Sequence, residues 1–559
     1  MRLSRLLPIV EWLPRYERAQ LRGDVLAGIA VTAMIVPKDL GYAGIAHVPV
    51  QNGLYAAAAG ALIYALFCTS RHISTGPSSS LAAVAGGAVL LTHVSGADAV
   101  DLVTAITLVT GALFLLLAVL RLGWIARFLS RAVVTGFLAG AAVDVTIGEL
   151  GKLTGTKDSG TNAFQELASW LRGLGGTHWP TLAVGAAALA TILLLRFMAP
   201  SVPGALVLLV GGLLATRLFD LGAHGVALVG HVPRGLPSPA VPSAEIFTQH
   251  YTAIVVSAIG LLLIGFSQTA GDARAFAVRH RYRIDVNQES VAQGMANVGA
   301  GFFQGMPVST SLSGSSLNES AGASSPVASL VTGGLVLATL VLLAPLFSKL
   351  PDPVLAAIII DAVVFGMIDT AELKRLFRVK PFDFWIAAAA IVAVLGAGVL
   401  AGVAIGVALS LVWLVYVTTA PTMPALGRKA GTEIFRDLNL HPEDETFPGI
   451  AVFRLDAGLF FATAEALEER VRELMADDPE LGCVVIDLEG VDFADSQGAA
   501  KLDEILDLTE SASITLRLAR IRPDVRTVLQ RDGFLERIGA EHIHTNAGLA
   551  VAAQRRSSS

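Results

Sequence analysis

The chain has 559 residues, of which 53% are hydrophobic and only 15% charged, and its mean hydropathy is +0.64. Soluble domains carry roughly 25% charged residues, so this composition excludes an ordinary soluble enzyme and implies an integral membrane protein. The net charge of −6 comes with no basic stripe interleaved with aromatics, which argues against nucleic acid as a partner. Two distant cysteines, Cys68 and Cys483, make no disulfide framework.

In chain order, Leu3–Gly23 is broken by Pro8, Glu11, Pro14, Arg15 and Glu17. It lacks the apolar core of a signal peptide, and residues 1–23 are expected as a cytoplasmic, interfacial lead-in. Apolar runs of spanning length then fill residues 24–420. They fall at 24–44, 52–69, 78–93, 99–120, 131–150, 178–197, 202–219, 250–270, 286–303, 309–320, 323–347, 351–369, 384–399 and 401–419. These are about fourteen spans of an α-helical polytopic protein, seven on each side of the loop at 220–249.

Two stretches break the apolar pattern. Gly305–Ser320, GMPVSTSLSGSSLNES, and Ser74–Leu81, STGPSSSL, place Pro, Gly and hydroxyls where a membrane helix needs Leu and Val. Lipid cannot hydrogen-bond a free backbone, so such stretches must line a cavity or pack on protein. In each, Pro77 or Pro307 follows a small-residue turn, with hydroxyls just beyond. Pro suits the first turn of a helix. Both stretches read as half-helices starting in mid-membrane, whose bare N–H groups and positive dipole ends attract an anion. They fall in the third and tenth segments, as a 7+7 inverted repeat requires of a transporter site. Close helix contacts through small residues are the competing explanation for either stretch alone.

Positive residues favour the cytoplasmic side. Arg121, Arg127 and Arg131 follow the fourth segment, Arg274, Arg279, Arg281 and Arg283 the eighth, and Lys374, Arg375, Arg378 and Lys380 the twelfth. Both termini are therefore expected in the cytoplasm. Loop 151–177 runs against this with Lys152, Lys157 and Arg172, offset by Asp158 and Glu166.

Residues 421–448, with Pro421, Pro424, Gly427, Gly431, Pro442 and Pro448, read as a linker. Beyond it, strands at Ile450–Leu455, Cys483–Leu488 and Ile514–Ile521 alternate with helices at Ala464–Met475, Gly498–Leu508, Val525–Ile538 and Leu549–Arg555. That alternation predicts a small cytoplasmic α/β domain over 449–559.

Further motifs run the length of the chain: RGDVLAGIAVTAMIVPKDLGYAGIA at 22–46, Gly53-Leu54-Tyr55, SRHISTGP at 70–77, DVNQE at 285–289 and IDLEGVDFADSQGAAKL at 486–502. Together they resemble the SulP, or sulfate permease, family of anion transporters with a C-terminal STAS domain. The resemblance implies a core domain (spans 1–4 and 8–11) moving against a gate domain (spans 5–7 and 12–14). It places substrate between the facing half-helices of spans 3 and 10. It also implies a homodimer, and a STAS domain that serves assembly or meets a cytoplasmic regulator. Three positions depart from the family pattern. Lys38 stands where most relatives have Gln, Gly314 where many carry Arg, and Gln268 where many bacterial members carry a carboxylate.

The candidate substrate-binding residues are Lys38, Tyr42, Ser78, Ser79, Ser80, Gln268, Ser309, Thr310, Ser311, Leu312 and Ser313. A lysine in mid-span costs at least about 2.5 kcal/mol unless paired or hydrated, so Lys38 is expected to supply the positive charge missing at Gly314. Gln268 would form a neutral polar wall and Tyr42 an aromatic one. Asp144, Glu149 and Asp361 are coupling candidates, because intramembrane acids often mark proton paths; structural hydrogen bonding explains them equally well. Asp272 is a fourth candidate, although beside Arg274 it reads rather as half of a loop salt bridge. Ser496, at a predicted helix start, is a regulatory phosphorylation candidate or simply an N-cap.

No Walker A pattern or metal-spaced Cys/His cluster occurs, so no cofactor, metal or enzymatic activity is expected. The expectation is an inner-membrane secondary transporter of a small oxyanion, sulfate first, working by alternating access with proton symport. Bicarbonate, a C4-dicarboxylate or a halide are alternative substrates. Anion exchange, an uncoupled channel and a signalling scaffold are alternative modes.

Overall fold

The computed structural model describes residues 7–121, 130–156, 160, 162–200 and 202–557. Arg127, Lys157 and Asp158 lie outside the described residues. The chain divides into two compact units, Met1–Ser410 and Leu411–Ser559.

Among the described residues, eight helices are long and apolar enough to cross a membrane, and four further apolar helices have 10–17 residues. The lead-in is a string of short turns, Ile9–Trp12, Leu13–Arg15 and Arg18–Gln20. Then come α1 (Leu21–Ile45), α2 (Val50–Phe67), the three-residue strand β1 (Thr75–Pro77) and α3 (Ser79–Thr92). α4 (Ala97–Val119), α5 (Arg131–Thr154), α6 (Trp179–Met198) and α7 (Gly204–Phe219) complete the first half. After the long loop, α8 (Tyr251–Arg279) and α9 (Val286–Phe302) lead to strand β2 (Val308–Thr310) and α10 (Leu312–Ser320). α11 (Val327–Leu342), α12 (Asp352–Met367) and α13 (Pro381–Thr419) follow, α13 being interrupted at Gly398, where φ is 84°, and continuing past Ser410, where the first unit ends.

Small residues let these helices pack closely, the usual means of association in lipid. A Cβ on Gly53 of α2 would lie 2.1 Å from the Asp39 carbonyl of α1. On Gly111 of α4 it would lie 2.7 Å from the Val298 amide of α9.

Two sequence expectations change here. The segment at 309–320 is not helical from its start: Val308–Thr310 is extended and pairs with β1, and the helix begins at Leu312. Pro77 and Pro307 consequently lie in or before strands rather than in first helical turns. The eighth segment runs on past residue 270 to Arg279, so Asp272 belongs to a helix and not to a loop.

In the second unit, four parallel strands lie in the order β5-β6-β7-β8, namely Ile450–Arg454, Cys483–Asp487, Thr515–Ala519 and Ile543–His544. All five residues of β6 are buried, as a central parallel strand covered on both faces should be. α14 (Phe461–Asp477) and α15 (Ser496–Ser511) supply Leu467, Val471, Leu502 and Ile505 to one core with Val484 and Ile486. α16 (Pro523–Asp532) and α17 (Phe534–Ile538) replace the single helix expected at 525–538, broken at Gly533 with φ of 94°. α18 (Ala547–Ser557) covers the other face. The stretch at 421–448 is more than a tether. It contains the hairpin β3 (Leu426–Arg428) and β4 (Phe435–Asp437), whose Leu426 and Phe435 are buried with Val452, Cys483 and Val485.

Candidate anion site

The site grows from the pairing of β1 with β2. They run antiparallel with Thr75 opposite Thr310, Gly76 opposite Ser309 and Pro77 opposite Val308. The pairing continues outward, the Ser311 amide donating to the Ser74 carbonyl at 3.0 Å and the Ser74 amide to Ser315 Oγ at 3.0 Å. Backbone that leaves the helix inside a membrane must find partners within the protein, and each broken segment supplies them to the other. Pro77 has no N–H to offer Val308. Asn297 of α9 fills that need: its Nδ2 donates to the Val308 carbonyl and its Oδ1 accepts from the Val308 amide, both at 3.0 Å.

Both strands end in the same device. Ser78 caps α3, its Oγ accepting from the Leu81 amide at 3.4 Å and lying 3.2 Å from Ser80 Oγ. Ser311 caps α10, its Oγ accepting from the Gly314 amide at 3.2 Å and lying 3.3 Å from Ser313 Oγ. A cap of this kind satisfies the third amide and leaves the first two without intrahelical partners. Those are Ser79 and Ser80 in one helix, Leu312 and Ser313 in the other. Ser79 and Ser80 are buried, whereas Leu312 is 57% exposed and Ser313 exposed as well.

Gln268 of α8 joins the two broken segments. Its Nε2 donates to Ser80 Oγ at 3.2 Å, and Ser309 Oγ donates to its Oε1 at 2.6 Å. One helical turn on, Asp272 accepts from Thr310 Oγ1 at 2.8 Å. The salt bridge to Arg274 expected of Asp272 is therefore replaced by a contact with the site. The cause is the continuation of α8, which presents positions i and i+4 on one face.

α1 contributes Lys38 and Tyr42, also at i and i+4 and so on one face. The Tyr42 side chain lies close to Ser79. Lys38 lies within electrostatic range of Asp361, Arg196 and Asp39, yet among the described residues it makes no direct ion pair. Asp361 of α12 is held in a two-pronged salt bridge by Arg196 of α6, Nε to Oδ1 at 2.7 Å and Nη2 to Oδ2 at 2.6 Å. The same guanidinium lies 4.3 Å from the centre of the Phe365 ring. A Cβ on Gly366 would lie 4.0 Å from Ser79 Oγ, so the far end of α12 approaches α3. Gly314 is buried beside Ser74, whose Oγ would be 3.1 Å from an added Cβ.

The structure thus brings Tyr42, Ser78–Ser80, Gln268, Asp272 and Ser309–Ser313 to the strand crossing, with Lys38 one turn away. The other acids lie elsewhere. Glu149 of α5 accepts from Lys152 at 2.7 Å, and Asp144 is half-buried with no ion pair among the described residues. Ser496 is exposed at the first position of α15, but the cap is Asp495, whose Oδ1 accepts from the Gly498 amide at 2.7 Å. Sequence reasoning missed Arg196 and Asn297. Arg196 stood inside the apolar run 178–197, where the test applied to Lys38 would have found it.

Comparison with known proteins agrees with this architecture of a polytopic helical membrane protein. The sequence profile of the sulfate permease family matches residues 21–390, and that of the STAS domain residues 441–550. The chain belongs to the sulfate permease family and carries a STAS domain. It is 34% identical over 553 residues to "Probable sulfate transporter MT1781" of Mycobacterium tuberculosis, covering 98% of both chains. It is 28% identical over 576 residues to high affinity sulfate transporter 2 of Stylosanthes hamata, covering 98% of this chain and 86% of the relative. In fold it resembles SLC26A9, with a TM-score of 0.87 at 21% identity over 100% of this chain and 94% of the other. It also resembles the transmembrane domain of the cyanobacterial bicarbonate transporter BicA, with a TM-score of 0.62 at 19% identity over 69% of this chain and 98% of the other.

Proposed function

We propose that this protein is a secondary transporter of a small oxyanion, sulfate first, which binds where α3 and α10 begin. The observation that carries the proposal is the pair of serine-capped half-helices starting from one strand crossing and joined by Gln268. Uncapped first-turn amides bind anions through both hydrogen bonds and the helix dipole. Lys38 supplies the attracting charge, because it has no direct ion pair among the described residues and shares a face of α1 with Tyr42. Gln268 holds the two half-helices together without placing a negative charge against the anion. Asp272 beside Thr310 is the carboxylate best positioned for coupling to protons, ahead of Asp361, which Arg196 occupies.

Substrate then crosses by movement of the core helices against α5–α7 and α12–α13. The sulfate transporters among the relatives favour sulfate as cargo. Homodimerisation, cytoplasmic termini and control through Ser496 belong to the same proposal. The test is uptake of labelled sulfate, bicarbonate and fumarate into proteoliposomes, with and without an inward proton gradient. Saturable sulfate uptake stimulated by the gradient is expected. Linear, unsaturated anion current would favour a channel instead, and no uptake of any of the three would defeat the proposal.

A further inference from the structure

A polar cavity of about 280 Å³ lies where the lead-in meets the residues just before α1 and α11 and the chain leaving α2. Its wall includes Glu11, Trp12, Arg15, Gln20, Arg71 and Ser324. Two of these carry buried polar atoms with no partner among the described residues, Trp12 Nε1 and Ser324 Oγ. A buried donor left unsatisfied costs about 1–3 kcal/mol, so two on one wall call for an acceptor.

The charges define which acceptor. Arg15 is paired with Glu11 at 3.1 Å. Arg71 rests over the Tyr282 ring, 5.4 Å from its centre, with no carboxylate partner among the described residues. Asp24, the nearby buried acid, is not in the wall. It already accepts from the Ser324 and Ser325 amides, Ser325 Oγ and the Tyr16 hydroxyl. The two arginines less Glu11 leave the wall one positive charge in excess. A phosphodiester carries a single negative charge and only acceptor oxygens on phosphorus, which matches one free guanidinium and two spare donors.

The surroundings indicate where that phosphodiester comes from. Val10 and Leu13 on the lead-in, and Leu21, Leu26 and Ile29 at the start of α1, are each between 47% and 51% exposed. Half-exposed apolar side chains beside the end of a membrane span meet acyl chains, and a tryptophan with them is an interfacial anchor. We propose that this cavity seats the phosphodiester head group of an anionic phospholipid, taken from the leaflet at which α1 begins. Trp12 and Ser324 are the neutral donors and Arg71 the counter-charge. The lipid then fastens the lead-in to the bundle, independently of what the anion site carries.

Native mass spectrometry of the full-length protein, titrated with phosphatidylglycerol, tests this. The comparison arms are phosphatidylcholine, soluble glycerophosphoglycerol and inorganic phosphate. One phosphatidylglycerol per chain should be retained. Trp12→Phe, which keeps the ring and removes only the donor, and Arg71→Ala should each weaken it by about tenfold, the worth of one hydrogen bond to a charged group. Arg71→Lys should recover most of the loss. Thermal stabilisation of the unaltered protein by phosphatidylglycerol over phosphatidylcholine gives a measure that needs no variant. Equal retention by Trp12→Phe and the unaltered chain would overturn the proposal. So would inorganic phosphate or glycerophosphoglycerol binding as tightly as the lipid.

Discussion

Gln268 is hydrogen-bonded to both broken segments at once. Replacing it by Leu leaves Ser80 and Ser309 without their amide partner and removes the brace between the half-helices. Uptake should fall at least about tenfold, measured at saturating substrate. Lys38→Gln should weaken anion binding and flatten its dependence on ionic strength; unchanged affinity would show that the charge acts elsewhere. Arg196→Ala strands a carboxylate that is 5% exposed. Breaking a buried pair from one side costs several kcal/mol; because Arg196 is 36% exposed, we expect about 2–3 kcal/mol here. Adding Asp361→Asn to Arg196→Ala should restore most of the lost thermal stability in detergent. Burial pushes the Cys483 thiol up to about 12. Because the thiolate is the reactive form, alkylation of the folded protein at pH 8 should spare Cys483 until denaturant is added.

At the scale of elements, the strand-cap-helix unit occurs twice with the same spacing: the helix begins two residues after the strand ends. Ser78→Ala and Ser311→Ala each remove an N-cap worth about 1 kcal/mol. Each also loosens the serine two residues on. Both should raise the KM for the transported anion more than they lower expression, in parallel uptake and fluorescence assays. The breaks themselves were legible in sequence, because Pro, Gly and hydroxyls in an apolar run are a local signal. Their extended conformation was not. Thr75 and Thr310 pair across more than two hundred residues of chain, and the proline positions were equally compatible with a first helical turn. Asp272 was misplaced for a related reason: its helix continues past the apolar run that marked the span.

For the whole molecule, the two units differ in what holds them together. The first relies on close helix contacts and internally satisfied backbone, the second on a parallel sheet with apolar cores on both faces. The hairpin within 421–448 belongs to the second of these cores. A chain ending after Ala420 should therefore fold and retain some uptake. One ending after Leu440 keeps Leu426 and Phe435 but loses Val452, Cys483 and Val485, and should aggregate more in fluorescence-detected gel filtration. If the shorter chain lost uptake completely while remaining folded, transport would require the second unit.

Amino-acid order alone determined the membrane class, the approximate spans, the two interrupted segments and the α/β character of the carboxyl-terminal part. Each of these is written in composition and short-range periodicity. The tertiary structure decided what the interruptions become and what they face. The strand crossing, the Gln268 brace, the Asn297 clamp on Val308 and the hold of Arg196 on Asp361 join residues from different helices. Distance along the chain carries no trace of such contacts. They exist because polar groups inside a membrane must find partners within the protein, and only the packed bundle determines which ones are in reach.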